Sequence, residues 1–262
     1  MDHETVKSIN ILAKFCGSRD VPQLTGACLE EKFGFRQADV MVLFGGSILE
    51  GGEVLAQAMR SGAAKVYGIV GGEGHTTQTL RDTAERLCPG LCAQGKPEAE
   101  VFQAYLQHRW GLEADFLECR STNCGNNITN LLALLRERNI PCKSIILSQD
   151  RTMQKRMEAG LRKHAGNEMC VINYPVYETD VVLREEGLGY ADTLCGMWEP
   201  ERYISLLLGE IPRLSDDENG YGPRGKKFIA HVDVPAEVRE AFLQLSRKYS
   251  QLVRTANPLY AG

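Results

Sequence analysis

Three groups of residues in this chain have types and spacings suited to holding a small molecule. Residues 38–47 (ADVMVLFGGS) and 65–74 (KVYGIVGGEG) each carry a short apolar run into a Gly-Gly pair. A side chain at the carboxyl end of a strand would hold a ligand away from the main chain, whereas glycine removes that barrier and admits positive φ in a tight turn. The bared N–H groups of Gly45, Gly46, Ser47, Gly71 and Gly72 can then meet a carboxylate, phosphate or ribose, helped by the N-terminus of the next helix. Neither pair is a GxGxxG fingerprint, and residues 46–51 (GSILEG) lack the Lys-Ser/Thr of a P-loop. Tight strand-to-helix turns without a ligand use the same glycines, so each pair gains weight from the other.

The third group is residues 118–127 (ECRSTNCGNN). Glu118 closes an expected strand and points its carboxylate to the same edge, where it can accept hydrogen bonds from vicinal ribose hydroxyls. Ser121, Thr122, Asn123, Asn126 and Asn127 offer hydroxyls and amides within one turn, a set suited to a sugar or an amino-acid group. Helix capping by Asn123 or Asn126 is compatible with that use. Glu73 and His75, beside the second Gly-Gly pair, add a carboxylate and an imidazole for acid–base work or ligand contact. Further on, residues 148–156 (SQDRTMQKR) place Asp150 as an N-cap, with Arg151 and Arg156 near an anionic group. Their spacing does not put both on one helix face, and Arg156 is the candidate carried forward. No Gly-x-Ser-x-Gly elbow occurs, and bystander thiols are the simpler reading of Cys119 and Cys124 beside His75.

Strands at 39–44, 65–70, 115–118, 144–147 and 170–173 must present these residues. They alternate with amphipathic stretches at 50–61, 76–88, 98–109, 127–138 and 152–164. Such alternation predicts right-handed βαβ units and an α/β, Rossmann-like, doubly wound parallel sheet, with the ligand at its carboxyl edge. Helices are also expected at 4–15, 24–33, 198–208 and 236–253, with a long loop or flap at 213–227. The expected division is a ligand-binding α/β domain over residues 36–180 and an additional all-α region, 1–35 with 181–262, packed beside it.

The 262 residues are 43% hydrophobic and 24% charged with a net charge of −4, which fits a soluble globular chain and argues against nucleic acid as a partner. No apolar run nears the roughly 18 residues of a membrane span, and residues 1–7 (MDHETVK) lack a signal-peptide pattern. The expectation is therefore a cytoplasmic protein without a membrane partner. Nine irregularly spaced cysteines with no CxxC and no zinc spacing read as reduced thiols, with no metal site. A monomer and a homodimer both remain open.

The order of these motifs resembles the SanA/ElyC/YdcF family. The resemblance rests on ADVMVLFGGS, a second strand ending in Gly-Gly, Glu98-Ala99, Glu118-x-x-Ser-Thr-Asn-x-Gly-x-Asn127, and a strand with Met153 and Arg156 beyond it, and covers about residues 38–174. It implies a Rossmann-like domain joined to a helical region, and S-adenosyl-L-methionine as ligand with no established reaction. The family usually has Thr where this chain has Cys124, Glu where it has Asn126, and often a His where it has Thr152-Met153-Gln154. Those departures favour ligand binding or methyl transfer over acid–base hydrolysis. Relatives with envelope phenotypes carry membrane anchors that this chain lacks, so their location is not carried over. The expected function is S-adenosyl-L-methionine binding, with methyl transfer open; the alternative is a hydrolase or transferase acting on a phosphorylated or glycan-linked substrate.

Overall fold

Five apolar runs that must hide both faces form one parallel sheet. The computed structural model describes residues 3–74, 76–166 and 168–253. The strands are β1 (Ala38–Phe44), β2 (Ala64–Val70), β3 (Phe116–Glu118), β4 (Ser144–Ser148) and β5 (Cys170–Asn173), in the order β3-β2-β1-β4-β5. All five residues of β4 are buried, as a strand covered on both sides requires. Alternation splits β1: Val40, Val42 and Phe44 enter one core, and Met41 and Leu43 the other. The chain steps outward from β1 through β2 to β3, then returns to lay β4 against the opposite side of β1, pairing Val40 with Ile145 and Leu43 with Ser148. The topological switch point thus lies at the carboxyl ends of β1 and β4, where ligands of open α/β sheets bind.

Helices cover both faces. On one side lie α6 (Cys124–Glu137) and α7 (Gln154–Ala165), which bury Ile128, Leu131, Leu135, Met157 and Leu161 against β1 and β4. The other side carries α3 (Glu50–Ser61), α4 (Thr77–Leu87) and α5 (Glu98–Trp110). Beside them pack α1 (His3–Cys16), α2 (Gly26–Phe33), α8 (Pro200–Leu214) and α9 (Ala236–Lys248). The terminal helices meet: α1 packs on α8 and α9, and Ser8 Oγ donates to Gln244 Oε1 at 2.6 Å. They share one continuous core with the sheet instead of enclosing a separate one.

Several boundaries differ from expectation for local reasons. Helix α6 starts three residues before the expected 127 because Asn123 Oδ1 accepts from the Asn126 N–H at 2.9 Å. Helix α7 starts after the expected 152, because Asp150 caps the preceding turn: its Oδ1 accepts from the Thr152 N–H at 2.8 Å. Helix α8 begins with Pro200, whose missing N–H costs nothing in the first turn, and continues beyond the expected 208 through Pro212. An antiparallel hairpin, β6 (Val181–Arg184) with β7 (Gly187–Tyr190), has no counterpart in the sequence reading. Its four-residue strands are too short for periodicity to mark, and its first strand, β6, is fixed by Asn10 of α1, which exchanges two hydrogen bonds with Val181. All nine cysteines are free, and no helix among the described residues is long and apolar enough to cross a membrane.

Candidate ligand-binding cleft

A cavity of about 230 Å³ opens at the switch point, between the carboxyl edge of the sheet and α8. Its floor is made where the two Gly-Gly turns touch. Gly45 N–H donates to Val70 O at 2.7 Å, and Gly45 O accepts from Gln149 Nε2 at 3.0 Å. The first turn of α5 docks on the second pair: the N–H groups of Glu98 and Ala99 donate to the carbonyls of Gly72 and Gly71 at 2.9 and 2.8 Å. Close approach dictates the glycines. A Cβ on Gly45 would lie 2.3 Å from Glu98 Oε2, and one on Gly72 would lie 2.2 Å from the Ser121 carbonyl oxygen.

Glu98 occupies the centre of this floor and is 8% exposed. Its Oε1 accepts from Thr77 Oγ1 at 2.8 Å, a hydroxyl that itself accepts from the Gly74 N–H at 2.7 Å. Among the described residues, Oε2 has no hydrogen-bond partner; it rests against the Cα positions of Gly45 and Gly71. Burial pushes the Glu98 carboxyl up to about 7, opposed by the Thr77 hydroxyl and the charge of Arg81. A carboxyl held there can exchange a proton or accept a cation near neutral pH.

The remaining walls come from four elements. The β3–α6 turn contributes Ser121, Thr122 and Asn123, and α6 adds Cys124 and Asn127. Gln149, Met153 and Arg156 come from β4–α7, and Glu73 and Thr76 from β2–α4. Arg202, Leu206, Glu210 and Arg213 of α8, with Tyr221, close the opposite side. A second cavity of about 200 Å³ adjoins the first, and both are bordered by Asn123, Cys124, Arg156 and Tyr221. Together they fall in the lower part of the roughly 300–1,000 Å³ range of small-molecule sites. Residues 213–227, expected as a loop or flap, fold back so that the Tyr221 N–H donates to Arg213 O at 3.0 Å and Tyr221 packs edge-on against Phe228 at 5.1 Å.

Of the candidate residues named from sequence, Gly45, Gly46, Gly72, Glu73, Ser121, Asn123, Asn127 and Arg156 line this cavity. Gly71 lies beneath the floor, its N–H on Glu118 O at 2.9 Å, and Ser47 ties the two turns together through Oγ to Thr76 O at 3.0 Å. Glu73 Oε1 is held by Arg81 Nη2 at 2.7 Å. His75 lies outside the described residues. Glu118 does not line the cavity. Its carboxylate accepts from the Arg120 N–H at 2.8 Å, the Ser121 N–H at 3.3 Å and Asn130 Nδ2 at 3.0 Å, so it braces the turn that carries Ser121. Ser121 Oγ in turn accepts from the Gly72 N–H at 3.1 Å.

Arg156 is not a free cation. It forms a bidentate pair with Glu210 at 2.6 and 3.0 Å, and Arg213 approaches the same carboxylate at 3.7 Å. Arg151 points elsewhere, buried and donating to Thr179 O. Burial raises the Cys124 thiol and pushes Cys119 up to about 11, which keeps both protonated at neutral pH and withholds the thiolate a nucleophile needs. Sequence reasoning missed Glu98, Gln149, Glu210, Arg202, Arg213 and Tyr221 as site residues. Glu98 was visible only as one step in the motif order. Glu210 carried a usable signal, a lone carboxylate inside the apolar run ISLLLGEI.

A larger open depression of about 680 Å³ lies over α3 and α5, away from the switch point. Its central Glu53 is already occupied by the Tyr105 hydroxyl at 2.5 Å and Arg109 Nε at 3.2 Å. Among the described residues, no group of three or more His, Cys, Asp or Glu side chains is placed to hold a metal ion. No protein-family model matches the chain. The fold and the cavity define a Rossmann-like α/β protein with a cleft at the switch point of its sheet.

Proposed function

We propose that this protein binds S-adenosyl-L-methionine in the cleft at the carboxyl edge of the sheet. The observation that carries this reading is the floor itself: two turns stripped to glycine backbone, meeting around a buried carboxylate that feels the Arg81 charge but, among the described residues, forms no ion pair. The N–H groups of Gly45, Gly71 and Gly72, expected to meet a ligand, are given instead to Val70 O, Glu118 O and Ser121 Oγ. A compact cation attached to a nucleoside still suits the floor, because the sulfonium faces Glu98 while ribose and amino-acid groups meet the Gly46 main chain and the Asn127 amide. Met153, Leu206 and Tyr221 supply the apolar surface an adenine ring needs. The adjoining cavity gives a methyl acceptor a place, which keeps transfer open.

A phosphorylated or glycan-linked substrate is the second reading, favoured by Arg156, Arg202 and Arg213 on the cavity wall. Glu210 engages Arg156 and Arg213 and so turns part of that charge away from the cavity, while Glu73 and Glu98 at the floor oppose a phosphate. The deciding experiment is isothermal titration calorimetry of the purified protein against S-adenosyl-L-methionine, S-adenosylhomocysteine, ATP and NAD. Saturable heat with the first, alone or with its demethylated product, is the expected outcome. Heat with ATP or NAD alone would overturn the ligand assignment, and silence with all four would move the weight to the phosphorylated or glycan substrate.

A further inference from the structure

The cleft contains several charged groups, and nearly all are already answered. Glu73 is held by Arg81 of α4, whose Nε also donates to Lys96 O at 2.8 Å. From the β3–α6 turn, Glu118 is turned away onto Arg120, Ser121 and Asn130. Across the cavity, Arg156 of α7 and Arg213 of α8 share Glu210, and Arg202 lies over the Trp198 ring at 5.6 Å. The turns after β1 and β4 present no charged group there, only Gly45, Gly46, Gln149 and Met153. His75 lies outside the described residues. Glu98 is left as the buried group with an oxygen unspoken for, and that oxygen sits at the meeting point of the two Gly-Gly turns.

Resting on the ligand reading above, we propose that Glu98 is the specificity-determining residue of this cleft and selects ligands by charge. Its ionised carboxylate takes the sulfonium of S-adenosyl-L-methionine, and the neutral thioether of the demethylated product meets the protonated acid equally well. Binding of the cation then expels to solvent whatever proton the carboxyl still carries, one per site well below neutral pH and a fraction of one near it, and binding of the thioether expels none. The geometry supports this independently of titration: an anion 8% exposed, with one hydroxyl donor, one empty oxygen and only the charge of Arg81, itself committed to Glu73, to offset it, is poorly solvated until a cation reaches it. Burial that pushes the carboxyl up to about 7 makes the exchange measurable near neutrality. The device also gives the site a direction. A ligand that loses its positive charge in a methyl transfer loses its hold on Glu98, so the spent product is the weaker binder above neutral pH.

The test is calorimetry of wild type and Glu98→Gln with S-adenosyl-L-methionine and S-adenosylhomocysteine. Only the ionised form takes the cation, so wild-type affinity for the sulfonium should rise about eightfold from about pH 6 to about pH 7.5, as the competent fraction grows. Affinity for the thioether should change less than about twofold over the same range. Glu98→Gln should flatten the sulfonium profile and bring the two affinities together, with thioether binding retained. A second readout needs no variant: near pH 7, wild-type heats for the sulfonium should differ between phosphate and Tris by about half a proton per site, and heats for the thioether should not. Equal pH slopes for both ligands, or a slope that survives in Glu98→Gln, would overturn the role of Glu98 while leaving the ligand in place. Absence of saturable heat with either ligand on wild type would overturn the ligand reading and the proposal together.

Discussion

Glu98 and Glu118 stand on neighbouring turns at one sheet edge, 8% and 3% exposed, and they do opposite things. Glu118 receives two backbone N–H groups and one side-chain amide, all from its own turn and the helix that follows. Glu98 receives one hydroxyl and keeps an oxygen over bare glycine. Donors that fill both oxygens turn a buried carboxylate into a brace, and their scarcity leaves an oxygen available to a ligand. The difference comes from position along the local chain. Glu118 ends a strand that enters a turn, so following N–H groups curl toward it. Glu98 begins a helix whose first two N–H groups are already given to Gly71 and Gly72.

The severest way to break this arrangement is Gly72→Ala. Its Cβ would meet the Ser121 carbonyl at 2.2 Å and the Cys119 carbonyl at 2.8 Å, both backbone atoms of the turn that Glu118 braces. A loss of about 3 kcal/mol is expected, which thermal unfolding should register as a fall of roughly 10 °C.

Glu98→Gln sharpens the comparison from the other side. The carboxyl is raised from 4.5 to about 7 in the fold, so the unfolded chain releases its proton first and stability falls as pH rises between those values. The penalty is absent below about pH 4.5 and complete above about pH 7, where it amounts to about 3 kcal/mol. Removing the charge should therefore stabilise the protein by up to that amount at about pH 8 and leave it unchanged at about pH 4, as denaturant titration at the two pH values will report.

Glu118→Gln is expected to act with the opposite sign and a smaller size. The new amide would turn a donor toward donors, leaving at least one buried N–H unpaired, at a cost of about 2 kcal/mol at neutral pH. Denaturant titration in parallel with Glu98→Gln checks this, and stabilisation by Glu118→Gln would break the comparison.

Much of this was legible beforehand. The alternation of short apolar runs with amphipathic stretches marks all five parallel strands and the helices between them, because burial on both faces forces strands of the type seen in β4. The Gly-Gly pairs mark the sheet edge, since backbone contact of the Gly45–Gly71 kind excludes any side chain. The β6–β7 hairpin was not legible, being short and fixed by Asn10 from a distant helix. In the wall formed by Arg202, Glu210 and Arg213, only Glu210 left a mark in the sequence, because the wall exists only once α8 lies across the opening.

The sequence by itself determined the sheet, its carboxyl edge and the glycines that bare it, since periodicity and steric exclusion are properties of neighbouring residues. Only the tertiary structure decided which acidic residue faces the cleft and which arginines are already neutralised. Those outcomes depend on partners brought in from other segments: Thr77 donates to Glu98, Asn130 donates to Glu118, and Glu210 accepts from Arg156. The state of a buried charge is set by the partners that folding delivers to it, and local sequence does not record them.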